Sequence, residues 1–119
     1  MYYLNRVKWA VVLLALGLAL WCTFYFTAKT KQLMKQDEAN TLFELAAAAY
    51  ENQSYQEAVH LLNQAINIDT TNAQAYYQRA LAHSRLDDYP NCYHDMVASS
   101  RLGFNLATNW LNEHDHPHP

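Results

Sequence analysis

The sequence predicts an all-α protein, in which an N-terminal transmembrane helix precedes a short domain of helical hairpins. Three observations support this fold class. One apolar run is long enough to cross a bilayer. Residues 39–106 then repeat at a spacing of 34, a period typical of stacked helix pairs. Neither Gly nor Pro, the strongest helix breakers, occurs between Gly17 and Pro90.

The apolar run is the first element. Residues 9–28 carry no charge and span 20 positions, which is about 30 Å as a helix and matches a bilayer core. Trp9 and Trp21 lie near its ends, where aromatic belts form. The run exceeds the ~7–15 residues of a signal-peptide core and no small-x-small cleavage site follows it. An uncleaved anchor is therefore favoured over a cleaved leader, a leader lipidated at Cys22, or a buried core helix.

Charge divides the chain at the end of this run. All eleven acidic residues lie at Asp37 or later, where only three arginines oppose them, so residues 37–119 carry a formal charge of −8. A surface of this sign excludes nucleic acid as a partner. The basic residues that follow the run suit lipid phosphate head groups instead: Lys29, Lys31 and Lys35.

Basic residues flank the run almost equally, so the positive-inside rule decides orientation only weakly. A cytoplasmic N-terminus is favoured, and the side of the soluble domain stays open. The protein is expected to cross a membrane once, and the expected membrane is a bacterial inner membrane. The organisation that follows is a tail at 1–8, the anchor at 9–28, a helical basic stalk at 29–38, a domain at 39–113 and a disordered His/Pro tail at 114–119.

Four helices and a short fifth are expected in the domain. The anchor is expected to run into the first helix, at 39–51, whose inward stripe is Leu42, Leu45, Ala46, Ala49 and Tyr50. The second, at 55–68, follows a capping box formed by Ser54 and Glu57. The third, at 73–86, follows Thr71 or Asn72 as cap, and the fourth follows Asp87-Asp88 with Pro90 in its first turn. It ends near Gly103.

The fifth helix is expected at 105–112. Its apolar residues Leu106, Trp110 and Leu111 would cover the last exposed groove of the domain, while Asn109 and Asn112 would face water. This helix therefore would close the repeat at its C-terminal end, within a cap at 105–113.

Residues 34 positions apart match in type across the two units: Tyr55 and Tyr89, Ala58 and Cys92, Leu62 and Met96, Ala65 and Ser99. This pattern resembles the tetratricopeptide repeat family, with units at 39–72 and 73–106. The resemblance implies two antiparallel helices per unit and work as a protein-binding surface. Arg79 departs from the family because it occupies a usually apolar position. Asp69-Thr70 and Gly103-Phe104 replace the usual Asp-Pro turn.

The resemblance further implies a concave groove lined by the first helix of each unit. Phe43 and Tyr77 would be its aromatic anchors for a bound peptide or helix; the alternative is that these residues only line helix contacts. Family members that clamp a carboxylate use Lys and Asn where Phe43 and Ala47 stand, so that partner is disfavoured. The expected groove residues are Asn40, Phe43, Glu44, Ala47, Tyr50, Gln74, Tyr77, Gln78, Leu81 and Arg85.

No catalytic pattern is present in the sequence. Two glycines cannot build a phosphate loop, and no Ser, His and acid can be assembled from spacing, so an enzyme, a cofactor and a catalytic site are not expected. His114, His116 and His118 lie on a tail too loose for a structural metal site, and none is expected. His83 and His94 cannot be paired from sequence alone. Cys92 is expected to be a packed thiol.

Two functions remain open at this point. The first is a membrane-anchored interaction module, an adaptor or assembly factor that holds a partner in the groove. The second is a structural accessory subunit whose anchor packs among other transmembrane helices, for which Ala15 and Ala19 offer a weak small-residue face. Two repeats are few, so a membrane-embedded protein partner or self-association would add stability. A pore is not expected, because the apolar run contains no charged residue.

Overall fold

The computed structural model describes residues 1–114, and these residues form five α-helices and no strand. The all-α prediction is confirmed for this part of the chain. The chain divides into two compact units, residues 1–34 and a second unit that begins at Lys35. The first helix contributes to both units. The helices are α1 (Tyr2–Glu51), α2 (Tyr55–Ile68), α3 (Ala73–Arg85), α4 (Tyr89–Arg101) and α5 (Asn105–His114).

The first unit consists of the N-terminal part of α1, with its apolar side chains exposed. Among the described residues, this is the one helix that is long and apolar enough to cross a membrane, judged by length and composition. A signal sequence has the same character. The hydroxyl groups of Thr23, Thr27 and Thr30 each donate to the carbonyl three residues earlier at 2.9 Å. The helix thus satisfies these hydroxyl donors with its own carbonyl groups.

The second unit packs its helices in chain order, with α2 on α3, α3 on α4, and α4 on α5. Residues that lie 34 positions apart in the sequence occupy equivalent positions in this packing. Four pairs of residues at that spacing are buried: Ala46 and Ala80, Ala58 and Cys92, Leu62 and Met96, Ala65 and Ser99. The small members let helices approach closely, and Leu62 and Met96 fill the space between them.

The helix ends repeat at the same spacing. Gln53 (φ 63°) and Asp87 (φ 59°) adopt the left-handed conformation just after α1 and α3. In each turn the next N–H donates to the carbonyl five residues back at 2.9 Å, from Ser54 to Ala49 and from Asp88 to His83. This is the Schellman arrangement, which satisfies carbonyls that a helix leaves free. Gly103 (φ 90°) ends α4 in the same way.

Helix starts follow the sequence expectation at two of three positions. The Asn72 side chain accepts from Ala75 N at 3.0 Å, and the Asp88 side chain accepts from Asn91 N at 3.4 Å. The expected capping box at Ser54 and Glu57 is wrong, because the Ser54 side chain makes no cap bond. The backbone of Ser54 (φ −83°, ψ 62°) departs from the extended conformation that an N-cap residue adopts.

Two leucines that were expected to be inward are exposed. Leu45 is 52% exposed and Leu106 is 55% exposed, whereas Ala46 and Ala107 beside them are buried. One residue is a rotation of about 100° on a helix, so the neighbour takes the inward position. Trp110 and Leu111 do pack against the cluster of Ala80, Cys92, Met96 and Ala107, as expected of the cap.

The C-terminal cap also extends further than expected. Helix α5 ends at His114 instead of 112, and His114 Nδ1 lies 2.8 Å from the carbonyl oxygen of Trp110. Their rings stack at 4.2 Å between centroids. His114 is therefore helical instead of part of a disordered tail. The rest of the predicted His/Pro tail, 115–119, lies outside the described residues.

Candidate functional site

A small cavity lies between α1, α2 and α3 in the second unit, and we call it the groove cavity. Its volume is about 170 Å³. Four of its lining residues, Ala47, Tyr50, Gln78 and Leu81, belong to the set predicted from the sequence. The other two, Glu51 and Leu62, do not. Leu62 is buried and therefore forms part of the floor.

One residue that lines the groove cavity, Tyr50, is hydrogen-bonded to the cationic side chain of Arg85. The guanidinium Nε of Arg85 donates to the phenol oxygen of Tyr50 at 3.1 Å, which joins two predicted groove residues from α3 and α1. This hydrogen bond raises the pKa of Arg85. The Tyr50 ring in turn packs edge-on against Tyr55 at 5.2 Å between centroids. Tyr50, which lines the groove cavity, thus contacts side chains of both α3 and α2.

The two expected aromatic anchors are partly used by the fold. Phe43 is half-buried against the core cluster that contains Ala46 and Leu62. Tyr77 is half-buried and its ring lies 5.0 Å from that of Phe104. Neither residue lines the groove cavity. Contacts between helices therefore account for the buried part of both side chains. The role of Phe43 and Tyr77 in binding a partner stays a prediction.

The remaining predicted residues are exposed. Asn40, Glu44 and Gln74 face solvent and do not line the groove cavity; the Asn40 side chain accepts from Gln36 at 3.4 Å. The expected lipid-binding residues are also exposed: Lys29, Lys31 and Lys35. Their contact with head groups stays a prediction.

Sequence reasoning missed a buried ion pair between α3 and α4. The Arg79 guanidinium donates to both carboxylate oxygens of Asp95, from Nε at 2.8 Å and from Nη2 at 2.6 Å, and from Nη1 to Asn63 at 2.7 Å. Asp95 is 2% exposed. The network ties α2, α3 and α4 together, and the pair with Asp95 raises the pKa of Arg79. The signal in the sequence was Arg79 itself, since a cation at an inward position requires a buried partner.

Two histidines lie around the same carboxylate. His83 Nε2 is 3.9 Å from Asp95 Oδ2, and His94 Nδ1 is 3.8 Å from Asp95 Oδ1. His83 Nδ1 is 3.2 Å from Asp88 Oδ2 but lacks the orientation of a hydrogen bond, so this buried nitrogen has no donor or acceptor partner among the described residues. No group of three or more His, Cys, Asp or Glu among residues 1–114 is arranged to hold a metal ion.

Cys92 on α4 belongs to the hydrophobic core between α3, α4 and α5. Its thiol is buried against Ala80, Met96 and Ala107, and burial raises its pKa. The thiol is therefore a protonated packing group at neutral pH, as the sequence predicts.

Comparison with known families adds one finding. A family model described as "TPR repeat", the tetratricopeptide repeat, matches residues 46–87. The matched segment runs from the end of α1 through α3 and includes every residue that lines the groove cavity. The match supports the family resemblance read from the residues, and repeats of this kind commonly mediate protein–protein interaction and are typically non-catalytic. None of the curated proteins matches the chain.

Proposed function

We propose that this protein is a membrane-anchored interaction module, an adaptor or assembly factor that holds a protein partner in its concave groove. The observation that carries the proposal is the groove cavity, whose lining includes Ala47 and Tyr50 from α1 together with Gln78 and Leu81 from α3. A pocket of this kind is where interface energy concentrates.

The size of the cavity indicates what enters it. About 170 Å³ slightly exceeds the ~150 Å³ engineered cavity that accommodates benzene. One large apolar side chain of the partner, of the size of Leu or Phe, fits this volume. Leu62 and Leu81 offer it apolar contacts, while the Gln78 side chain offers hydrogen bonds to the partner backbone.

As a membrane anchor, the apolar run confines this binding surface to the vicinity of a bilayer. An uncharged helix of 20 residues is long enough to span a bilayer, and exposed Lys29, Lys31 and Lys35 suit the head groups next to it. Tethering converts binding to a partner in the same membrane into an event at high effective concentration. A small groove with modest affinity is then sufficient for a stable association.

A pocket-filling substitution tests the groove without removing a core side chain. Ala47→Leu fills the groove cavity, and Asn67→Leu places the same side chain on an exposed position of α2. Full-length protein carrying either change is crosslinked in membranes, and the co-purified proteins are quantified by mass spectrometry. Ala47→Leu is expected to lose the captured partner and Asn67→Leu to retain it. Equal capture by the two variants would exclude the groove as the binding site.

The accessory-subunit function is the second candidate, favoured by a shallow apolar cleft along one face of the first unit. The cleft is lined by Val7, Ala10, Val11, Leu14, Ala15 and Leu18, at the spacing of a helix-packing face. Ala15→Phe would block it, while Leu13→Phe alters an exposed residue outside it. Loss of partner capture with Ala15→Phe alone supports packing of the anchor, and loss with Ala47→Leu alone supports the groove.

A further inference from the structure

A second groove lies on the outer face of α4 and shares no residue with the groove cavity; we call it the α4 groove. Its volume is about 660 Å³. The α4 residues Pro90, Tyr93, Val97 and Arg101 lie three or four positions apart, so they form one stripe along the helix. Tyr93 is 49% exposed. The full lining is Thr70, Tyr76, Pro90, Tyr93, His94, Val97, Ala98, Arg101 and Leu102.

The dimensions of the stripe suit another helix. Residues 90–102 extend over about 18 Å at 1.5 Å per residue, which equals roughly three helical turns. Apolar and aromatic side chains at three- and four-residue spacing receive the face of a helix in grooves of this type.

The charge of the α4 groove is opposite to that of the unit around it. The lining contains His94 and Arg101 and no carboxylate, although residues 37–119 carry a formal charge of −8. The one acid of α4, Asp95, points inward and is paired with Arg79. His94 and Arg101 are seven residues apart, so about 10 Å separates them along one line of the helix. A carboxylate of the occupant suits the Arg101 guanidinium, and a second carboxylate at a similar spacing can accept a hydrogen bond from the His94 ring.

The chain itself offers a helix face with this pattern. Asp37 and Glu44 on α1 are also seven residues apart, and both are exposed. Between and beside them lie Thr41, Leu45 and Ala48, all exposed. The Thr41 hydroxyl donates to the carbonyl oxygen of Asp37 at 2.9 Å, so only its methyl group is offered outward. We call the surface formed by these five residues the acidic α1 face.

We propose that the α4 groove of one copy binds the acidic α1 face of a second copy. The pairing places Asp37 and Glu44 against His94 and Arg101, in either helix direction, and covers Leu45, which is 52% exposed. The two surfaces are different patches of the chain, so the contact is head-to-tail and can extend to further copies. Copies tethered in one membrane meet at high effective concentration, so a small interface is sufficient.

Complementary charge reversals test this assembly. The full-length protein is reconstituted in nanodiscs large enough for several copies, and association is measured by energy transfer between donor- and acceptor-labelled copies. Arg101→Glu damages the α4 groove and Glu44→Arg damages the acidic α1 face. Each change is expected to weaken self-association by about tenfold. Glu57→Arg, an equal charge change at an exposed position of α2, is expected to leave it unchanged.

Mixing the two damaged variants gives the decisive measurement. The Arg101→Glu copy retains its acidic α1 face and the Glu44→Arg copy retains its α4 groove. Contacts between unlike copies then pair opposite charges at positions 44 and 101 on both surfaces, whereas contacts between like copies pair equal charges. The mixture is therefore expected to associate in alternating order, as neither variant does alone. Contacts between anchors would not respond in this way, since both anchors are unchanged. Absence of self-association in the wild type, or absence of rescue on mixing, would overturn the proposal and leave the α4 groove to a different protein.

Discussion

Arg79 on α3 and Asp95 on α4 form a two-point ion pair, with nitrogen–oxygen distances of 2.8 and 2.6 Å, at a site where Asp95 is 2% exposed. The third guanidinium nitrogen reaches Asn63 on α2 at 2.7 Å, and the Tyr76 ring lies 5.4 Å from the guanidinium carbon. A position that is usually apolar in the repeat family therefore holds three helices together by hydrogen bonds that need one fixed geometry.

Arg79→Ala is expected to destabilise the second unit by about 3–5 kcal/mol, because it leaves the Asp95 carboxylate buried without a partner. The measurement is the urea dependence of Cys92 alkylation in full-length protein, with Cys22 replaced by Ser so that one thiol reports opening of the core. Asn67→Ala, at an exposed position of α2, is the control and should change the free energy of unfolding by less than about 0.5 kcal/mol.

Replacing the pair rather than breaking it separates charge burial from packing. The double variant Arg79→Met/Asp95→Leu removes both charges and keeps apolar volume, so it should be considerably more stable than Arg79→Ala. Equal destabilisation by the single and double changes would contradict the explanation by an unpaired buried carboxylate, because the double variant contains no charge at either position.

Gln53→Gly is expected to stabilise the protein by about 0.5–1 kcal/mol, because Gln53 has φ 63° and a side chain at this conformation is strained. Gln64→Gly is the matched control, since Gln64 is exposed in the interior of α2 and glycine there should cost about 1 kcal/mol. Both values come from denaturant titration. The opposite signs separate relief of backbone strain from a general effect of glycine.

The sequence predicts the repeat and the helix boundaries near the turns because these depend on local rules, whereas the groove residues, of which four line the groove cavity, come from the family resemblance. Apolar spacing places Leu62 and Met96 inside, and short polar segments mark the turns. Leu45 was misplaced because Leu and Ala both fit an inward position, and close helix packing selects the smaller Ala46. The Arg79–Asp95 pair was missed because its partners lie on different helices, and only tertiary packing brings them together.

The pKa of Asp69 lies below its ordinary value of 3.8, chiefly because the Thr71 hydroxyl donates to the carboxylate at 2.7 Å, assisted by the Thr71 N–H at 3.0 Å. The deprotonated form is therefore favoured in the folded state. This contribution to stability is present above pH ~4 and is lost as pH falls through the lowered pKa.

Thr71→Val is expected to raise the pKa of Asp69 toward its ordinary value, since it removes the largest cause and retains the N–H bond. The measurement is a titration of the Asp69 carboxyl carbon by NMR. Thr70→Val, on the preceding exposed residue, is the control and should leave the titration unchanged. An unaltered pKa in Thr71→Val would mean that the backbone N–H and Gln36 hold the carboxylate without the hydroxyl.

Leu62→Ala and Leu45→Ala are the same chemical change at positions that the sequence alone treats alike, and they are expected to act on different properties. Leu62 is 1% exposed between Ala46, Ile66 and Ala75, so its truncation leaves a cavity and should cost about 2–5 kcal/mol of unfolding free energy. Leu45 contacts little of its own chain, so truncation should cost less than about 0.5 kcal/mol. If the acidic α1 face binds a second copy, however, Leu45→Ala should weaken energy transfer between labelled copies in nanodiscs while the denaturation midpoint stays constant. Because a folding defect lowers both measurements together, a change in association alone assigns Leu45 to the interface, and no change in either assigns it to solvent.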